Sequence, residues 1–115
     1  MSEIFDFNSV VQLLMGDEEN AKELLKSYLL QTEEQMSLLQ ELLGDSDFDK
    51  KRDDVRRKAH LIKGSSLNVS ANDFASTMLE MEKGANTLTH GELLQLYKTG
   101  TDKFEMLKKE ISKLY

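Results

Sequence analysis

Leu93, Tyr97, Gly100, Phe104, Leu107, Ile111 and Leu114 recur at alternating steps of four and three residues along the last part of the chain. That spacing holds one stripe of a helix against its neighbours and is the mark of a helix in an antiparallel bundle. The same steps recur upstream. They run through Ala21, Leu25, Tyr28, Thr32, Gln35, Leu39 and Leu42, then Val55, Ala59, Ile62, Ser66 and Val69, then Phe74, Met78, Met81, Ala85 and Leu88. Four such stripes leave little chain for a sheet. The absence of proline and the abundance of Leu, Glu, Lys, Gln and Met agree with helix throughout. Gly100 sits on the last stripe, where a glycine costs about 1 kcal/mol against alanine. It predicts a close helix approach or a kink.

Glycines and short polar clusters set the boundaries. Asp6, Phe7, Asn8 and Ser9 open a short helix that runs through Met15 and ends at Gly16. A long helix spans about Asp17 to Leu43, with acids in its first turn and Gly44 after its end, as helix termini are usually written. Asp45 to Lys50 reads as a loop. Further helices follow over about Lys51 to Val69, from a Ser70–Asn72 break to near Thr87, and from Thr89 or His90 to Leu114. The expected fold is all-α, an antiparallel four-helix bundle with a short additional N-terminal helix, and residues 1–115 form a single domain.

Composition narrows the function. The net charge of −6 argues against generic nucleic-acid binding. The absence of cysteine removes disulfides, thiolate metal sites and a cysteine nucleophile, and fits a reducing, cytoplasmic setting. The apolar runs are too short for a membrane span or a signal-peptide core. Met78 and Met81, at helical spacing, read as core filler rather than ligands.

The segment Ala59-His60-Leu61-Ile62-Lys63-Gly64-Ser65-Ser66-Leu67-Asn68-Val69 carries the chemistry. With Val55, Ala59, Ile62, Ser66 and Val69 facing the core, His60 lies roughly 140° away at about 100° per residue. It faces outward beside Asp53, Arg56, Arg57, Lys63, Gly64 and Leu67. Lys63 and Gly64 stand three and four residues on, the two spacings that share a helix face. One imidazole with a cation and bare backbone beside it suits transient phosphorylation. A neutral imidazole is a good nucleophile near neutrality, and phosphoryl transfer needs mainly positioning and charge stabilisation. Lys63 supplies an ammonium to the phosphoryl oxygens, and Arg56 and Arg57 add longer-range attraction. Gly64 sacrifices helix propensity on an exposed face, as close access to His60 would require. Leu61 and Leu67 are apolar yet point away from the core, as docking residues would, with Phe5, Val10 and Leu14 of the first helix as a second wall. Ser65 and Ser66 read as helix-contact and hydrogen-bonding residues. No phosphate-cradling glycine loop appears, so ATP bound by this chain is not the expected donor.

The segment resembles the histidine-containing phosphotransfer (HPt) domains of multistep two-component signalling, whose motif reads roughly His-x-Leu-Lys-Gly-Ser-Ser. Ser70 to Glu82 keeps the spacing of the helix that follows in that family, approximately Gly-Ala-x-x-Leu-x-x-Leu-Cys-x-x-Leu-Glu. Ile62 stands where leucine is usual, Ser70 where glycine is usual and Asn86 where arginine is common. The resemblance implies that Glu82 hydrogen-bonds the second ring nitrogen of His60, leaving the outer nitrogen free to attack.

It further implies a phosphoryl carrier rather than an autonomous kinase. His60 would pass the group between aspartyl phosphates of response-regulator receiver domains, downstream of a hybrid or sensor histidine kinase. No metal or cofactor is expected on this chain, with Mg²⁺ supplied by the receiver partner. A monomer suffices, and neither nucleic acid nor membrane is an expected partner. Two alternatives remain open. One is the phosphoacceptor domain of a chemotaxis-type kinase; the other is a helical adaptor that binds receiver-like partners without transfer. An enzyme built on His60 would need a second catalytic group, and His90, thirty residues on near a helix start, reads as an exposed helix-end residue.

Overall fold

In the computed structural model, which describes residues 4–115, five helices and one 3₁₀ turn account for the regular structure. Helix α1 covers Phe7–Leu13, α2 Glu18–Leu43, α3 Arg52–Asn68, α4 Asn72–Gly84 and α5 His90–Ser112. No strand occurs among the described residues. Side-chain oxygens start three of the helices. Asp6 accepts from the Ser9 N–H, Asp17 accepts from the Asn20 N–H, and Thr89 and Glu92 form a reciprocal capping box. Each satisfies an amide that lacks an intrahelical partner.

The four long helices form the bundle, with α3 packed between α2 and α4, and α5 against α4 and α2. The stripes on α3 and α5 fall where the spacing puts them. Val55, Ala59, Ile62, Ser66 and Val69 are buried, as are Leu93, Gly100, Phe104, Leu107 and Ile111, while Tyr97 and Leu114 of the same stripe are half-buried and pack against the core. On α4, Phe74, Met78, Met81 and Ala85 are buried and Leu88 packs against them. Gly100 marks a close approach. A Cβ there would lie 2.8 Å from the Met78 terminal methyl and 3.6 Å from that of Thr77.

On α2 the expected stripe slips by one residue. Met36 and Leu43 are buried, while Gln35 and Leu42 are only half-buried. Strict alternation of four and three averages 3.5 residues per turn, whereas an α-helix needs 3.6, so a long straight helix must insert an extra step of four. Here that step runs from Thr32 to Met36. Gln35, turned to the flank, accepts a hydrogen bond from the Lys58 ammonium at 2.6 Å.

Several joints also differ from expectation. Helix α1 ends at Leu13, and Met15 and Gly16 turn the chain with φ of 57° and 88°. The expected loop over 45–50 contains the 3₁₀ turn Phe48–Lys51, and Phe48 is buried in the core. Helix α4 stops at Gly84, short of Thr87. The Arg52 guanidinium takes up carbonyls beyond that end, donating to Ala85 at 3.0 Å and Leu88 at 2.6 Å. His90 is an exposed residue at the start of α5, as expected, and it also makes contacts across the bundle. Its ring stacks on Phe48 with centroids 4.3 Å apart and its Nε2 donates to the Leu43 carbonyl, tying α5 to the end of α2.

Candidate functional site

The middle of α3 presents His60 to solvent with its side chain 63% exposed, as the rotation argument requires. Its Nδ1 lies 3.0 Å from Glu82 Oε2, across on α4. Lys63 Nζ stands 2.9 Å from Glu82 Oε1 and 3.4 Å from His60 Nδ1. The three side chains therefore form one charged cluster bridging α3 and α4. Glu82 Oε1 is shielded from solvent, and the Lys63 ammonium is its counter-charge.

Electrostatics fixes the tautomer. The Lys63 ammonium, and to a lesser degree the His60 contact, hold the Glu82 carboxyl below the usual carboxylate range despite partial desolvation. An ionised carboxylate can only accept, so Nδ1 carries the proton and donates it. The lone pair then sits on Nε2. Nε2 has no hydrogen-bond partner among the described residues and opens to solvent.

Gly64, one turn further on, leaves that approach clear. A Cβ built there meets no atom within 4 Å, so packing does not demand the glycine. Ser65 Oγ donates to the Ile62 carbonyl at 3.1 Å. Ser66 Oγ lies 2.6 Å from the Tyr28 hydroxyl and ties α3 to α2 inside the core. Burial pushes the Tyr28 phenol up to about 12.

The two outward leucines lie on different flanks. Leu67 is 51% exposed and, seven residues beyond His60, lies within roughly 20° of it around the helix. Leu61 is 52% exposed and lines a recess between α2 and α3 instead. Arg56 and Arg57 are already engaged. Asp53 accepts from Arg56 Nε at 2.9 Å and from Arg57 Nη2 at 2.7 Å. These guanidiniums, Arg56 foremost, hold the Asp53 carboxyl below its usual range. The spacing of three and four residues puts Asp53 beside both arginines, but spacing alone does not give its grip on both. Phe5 and Val10 do not form a second docking wall. Both are buried in the core, and Leu14 packs against it, because α1 uses its apolar face to close the bundle. Among the described residues no group of three or more His, Asp or Glu side chains is placed to hold a metal ion, and no helix is long and apolar enough to cross a membrane.

A family model described as Hpt domain matches residues 23–113. The chain belongs to the Hpt domain family. Hpt domains are phosphocarriers with a histidine phosphotransfer role in phosphorelays, and they work with receiver domains and kinases of two-component systems. No curated protein and no solved structure matches the chain. The matched span begins in α2 and takes in all of α3 and α4 and α5 to its end, leaving α1 outside it.

Proposed function

We propose that this Hpt domain carries a phosphoryl group on His60 Nε2 between aspartyl phosphates of two receiver domains in a multistep relay. The observation that carries the reading is the Glu82–His60 contact, which leaves the Nε2 lone pair facing solvent. In the forward step that lone pair attacks phosphorus while the bond from phosphorus to the aspartyl oxygen breaks, and the carboxylate leaves. The Nδ1 proton stays in place, and Glu82 stabilises the positive charge the ring acquires. Return of the group to a second aspartate reverses the same steps. Lys63, held beside the ring by Glu82, has its ammonium positioned to turn toward phosphoryl oxygens. Mg²⁺ is supplied by the receiver partner, and Leu67, on the same face as His60, belongs to the docking surface. The domain acts as a monomer spanning residues 1–115 in the cytoplasm.

Incubation with a phosphorylated receiver domain tests the reading. The wild type should gain acid-labile phosphate, and His60→Gln should stay folded, because the side chain faces solvent, yet gain none. Labelling of His60→Gln at the wild-type rate would overturn the assignment. Receiver binding by the wild type without any labelling would establish an adaptor instead.

A further inference from the structure

Between the C-terminal half of α2 and the first turns of α3 lies an open recess of 680 Å³, floored by Leu38, Leu42 and Leu61. We infer that this recess is a partner-selecting groove, filled in the docked complex by an amphipathic edge of the receiver domain. The inference rests on the proposed transfer to His60 and adds where receivers are told apart.

Three observations favour a receiver as the occupant. First, His60 and Leu61 line the recess as well as the solvent face of α3, so a domain that reaches Nε2 also overlies the groove mouth. Second, the rim is electrically balanced in a chain of net charge −6: Lys51, Arg57 and Lys58 stand against Glu41, Asp45 and Asp54. A phosphorylated, anionic partner therefore meets less repulsion here than the overall charge would impose. Third, the rim keeps charges in reserve. Arg57 is engaged by Asp53, and Lys58 donates to Gln35. Glu41 and Lys51 have neither a hydrogen bond nor an ion pair among the described residues. Glu41 lies on α2, and Lys51 lies in the turn that enters α3. An apolar floor flanked by one free carboxylate and one free ammonium fits a ridge that carries an apolar side chain and charges of both signs. Because unpaired like charges at a contact are costly, these two residues discriminate between receivers whose edges differ in charge.

The test titrates several purified phosphorylated receiver domains against wild type, Leu38→Gln, Glu41→Lys and Lys51→Glu, reading half-saturating concentration and saturating transfer rate separately. All three positions lie at the surface or on the rim, and circular dichroism melts check that each variant is folded. Leu38→Gln should raise the half-saturating concentration about tenfold for receivers that use the groove, with the loss absent from the saturating rate. Glu41→Lys and Lys51→Glu should reorder the receivers by half-saturation, and the reordering should shrink at high ionic strength. Wild-type titrations by all three variants would overturn the groove while leaving phosphotransfer by His60 intact. Failure of the wild type to accept phosphate from any receiver would overturn the functional reading and the groove together. A change in the sedimenting mass of the variants alone, with receiver affinity unmoved, would assign the recess to a second copy of the chain and overturn the proposal.

Discussion

Gly64 occupies the solvent-facing row of α3 although nothing in the protein requires a glycine there. An added Cβ meets no atom within 4 Å, so Gly64→Ala should fold normally and gain up to about 1 kcal/mol from helix propensity. Gly64→Gln keeps most of that gain but places a long side chain over Nε2. It should slow phosphoryl transfer at least tenfold in single-turnover assays with one phosphorylated receiver, a loss of about 1.4 kcal/mol or more in the barrier. Transfer by Gly64→Gln at the wild-type rate would make the glycine incidental. His60, Lys63 and Gly64 were legible in the sequence because they lie within about one turn of a single helix, where spacing alone fixes their faces. Glu82 was not legible that way. It sits twenty-two residues from His60 on another helix, and only the family resemblance pointed to it. Periodicity states which way a residue faces and is silent on which element it meets.

At the scale of elements, the buried rows of α3, α4 and α5 followed from the sequence, while the second half of α2 and the joints did not. The buried rows of α3 and α5 are those their spacing marks. Ser70, by contrast, takes a left-handed φ of 61° at the turn from α3 to α4, where the family usually has glycine. Arg52 shows why such joints resist a one-dimensional reading. Its side chain ion-pairs with Asp49 at 2.9 Å, lies over the Phe48 ring and donates to two carbonyls beyond α4, more than thirty residues away. It thereby fastens the entry of α3 to the end of α4 without any capping residue in α4 itself. Arg52→Ala leaves those partly buried carbonyls without their charged donor. It should cost about 1.5–3 kcal/mol in urea denaturation, the usual worth of a hydrogen bond to a charged group. The transfer rate at saturating receiver should stay near wild type, since Glu82 lies on α4 ahead of the fastened end. A loss below 0.5 kcal/mol, about the scatter of ordinary surface substitutions, would show that the joint does not depend on the guanidinium.

For the bundle as a whole, the polar contact between Tyr28 and Ser66 ties stability to alkaline pH. Tyr28 is 4% exposed, and burial, set against the Ser66 hydrogen bond, raises its phenol from 10.0 to about 12. The unfolded chain ionises first, so the native state has its full advantage below pH 10 and loses it as the pH climbs from 10 toward 12. At pH 11 the loss from this one group is about 1.4 kcal/mol. Tyr28→Phe removes the titration but orphans the buried Ser66 hydroxyl, so at pH 8 the variant should be about 1–2 kcal/mol less stable than wild type. Its stability should then fall less steeply above pH 10, because every titratable group other than Tyr28 is common to both proteins. Urea unfolding at pH 8 and pH 11 should show the gap between them closing by about 1.4 kcal/mol. A gap that stays constant would mean that Tyr28 ionises as easily in the folded bundle as in the open chain, and that the α2–α3 seam admits water at its centre.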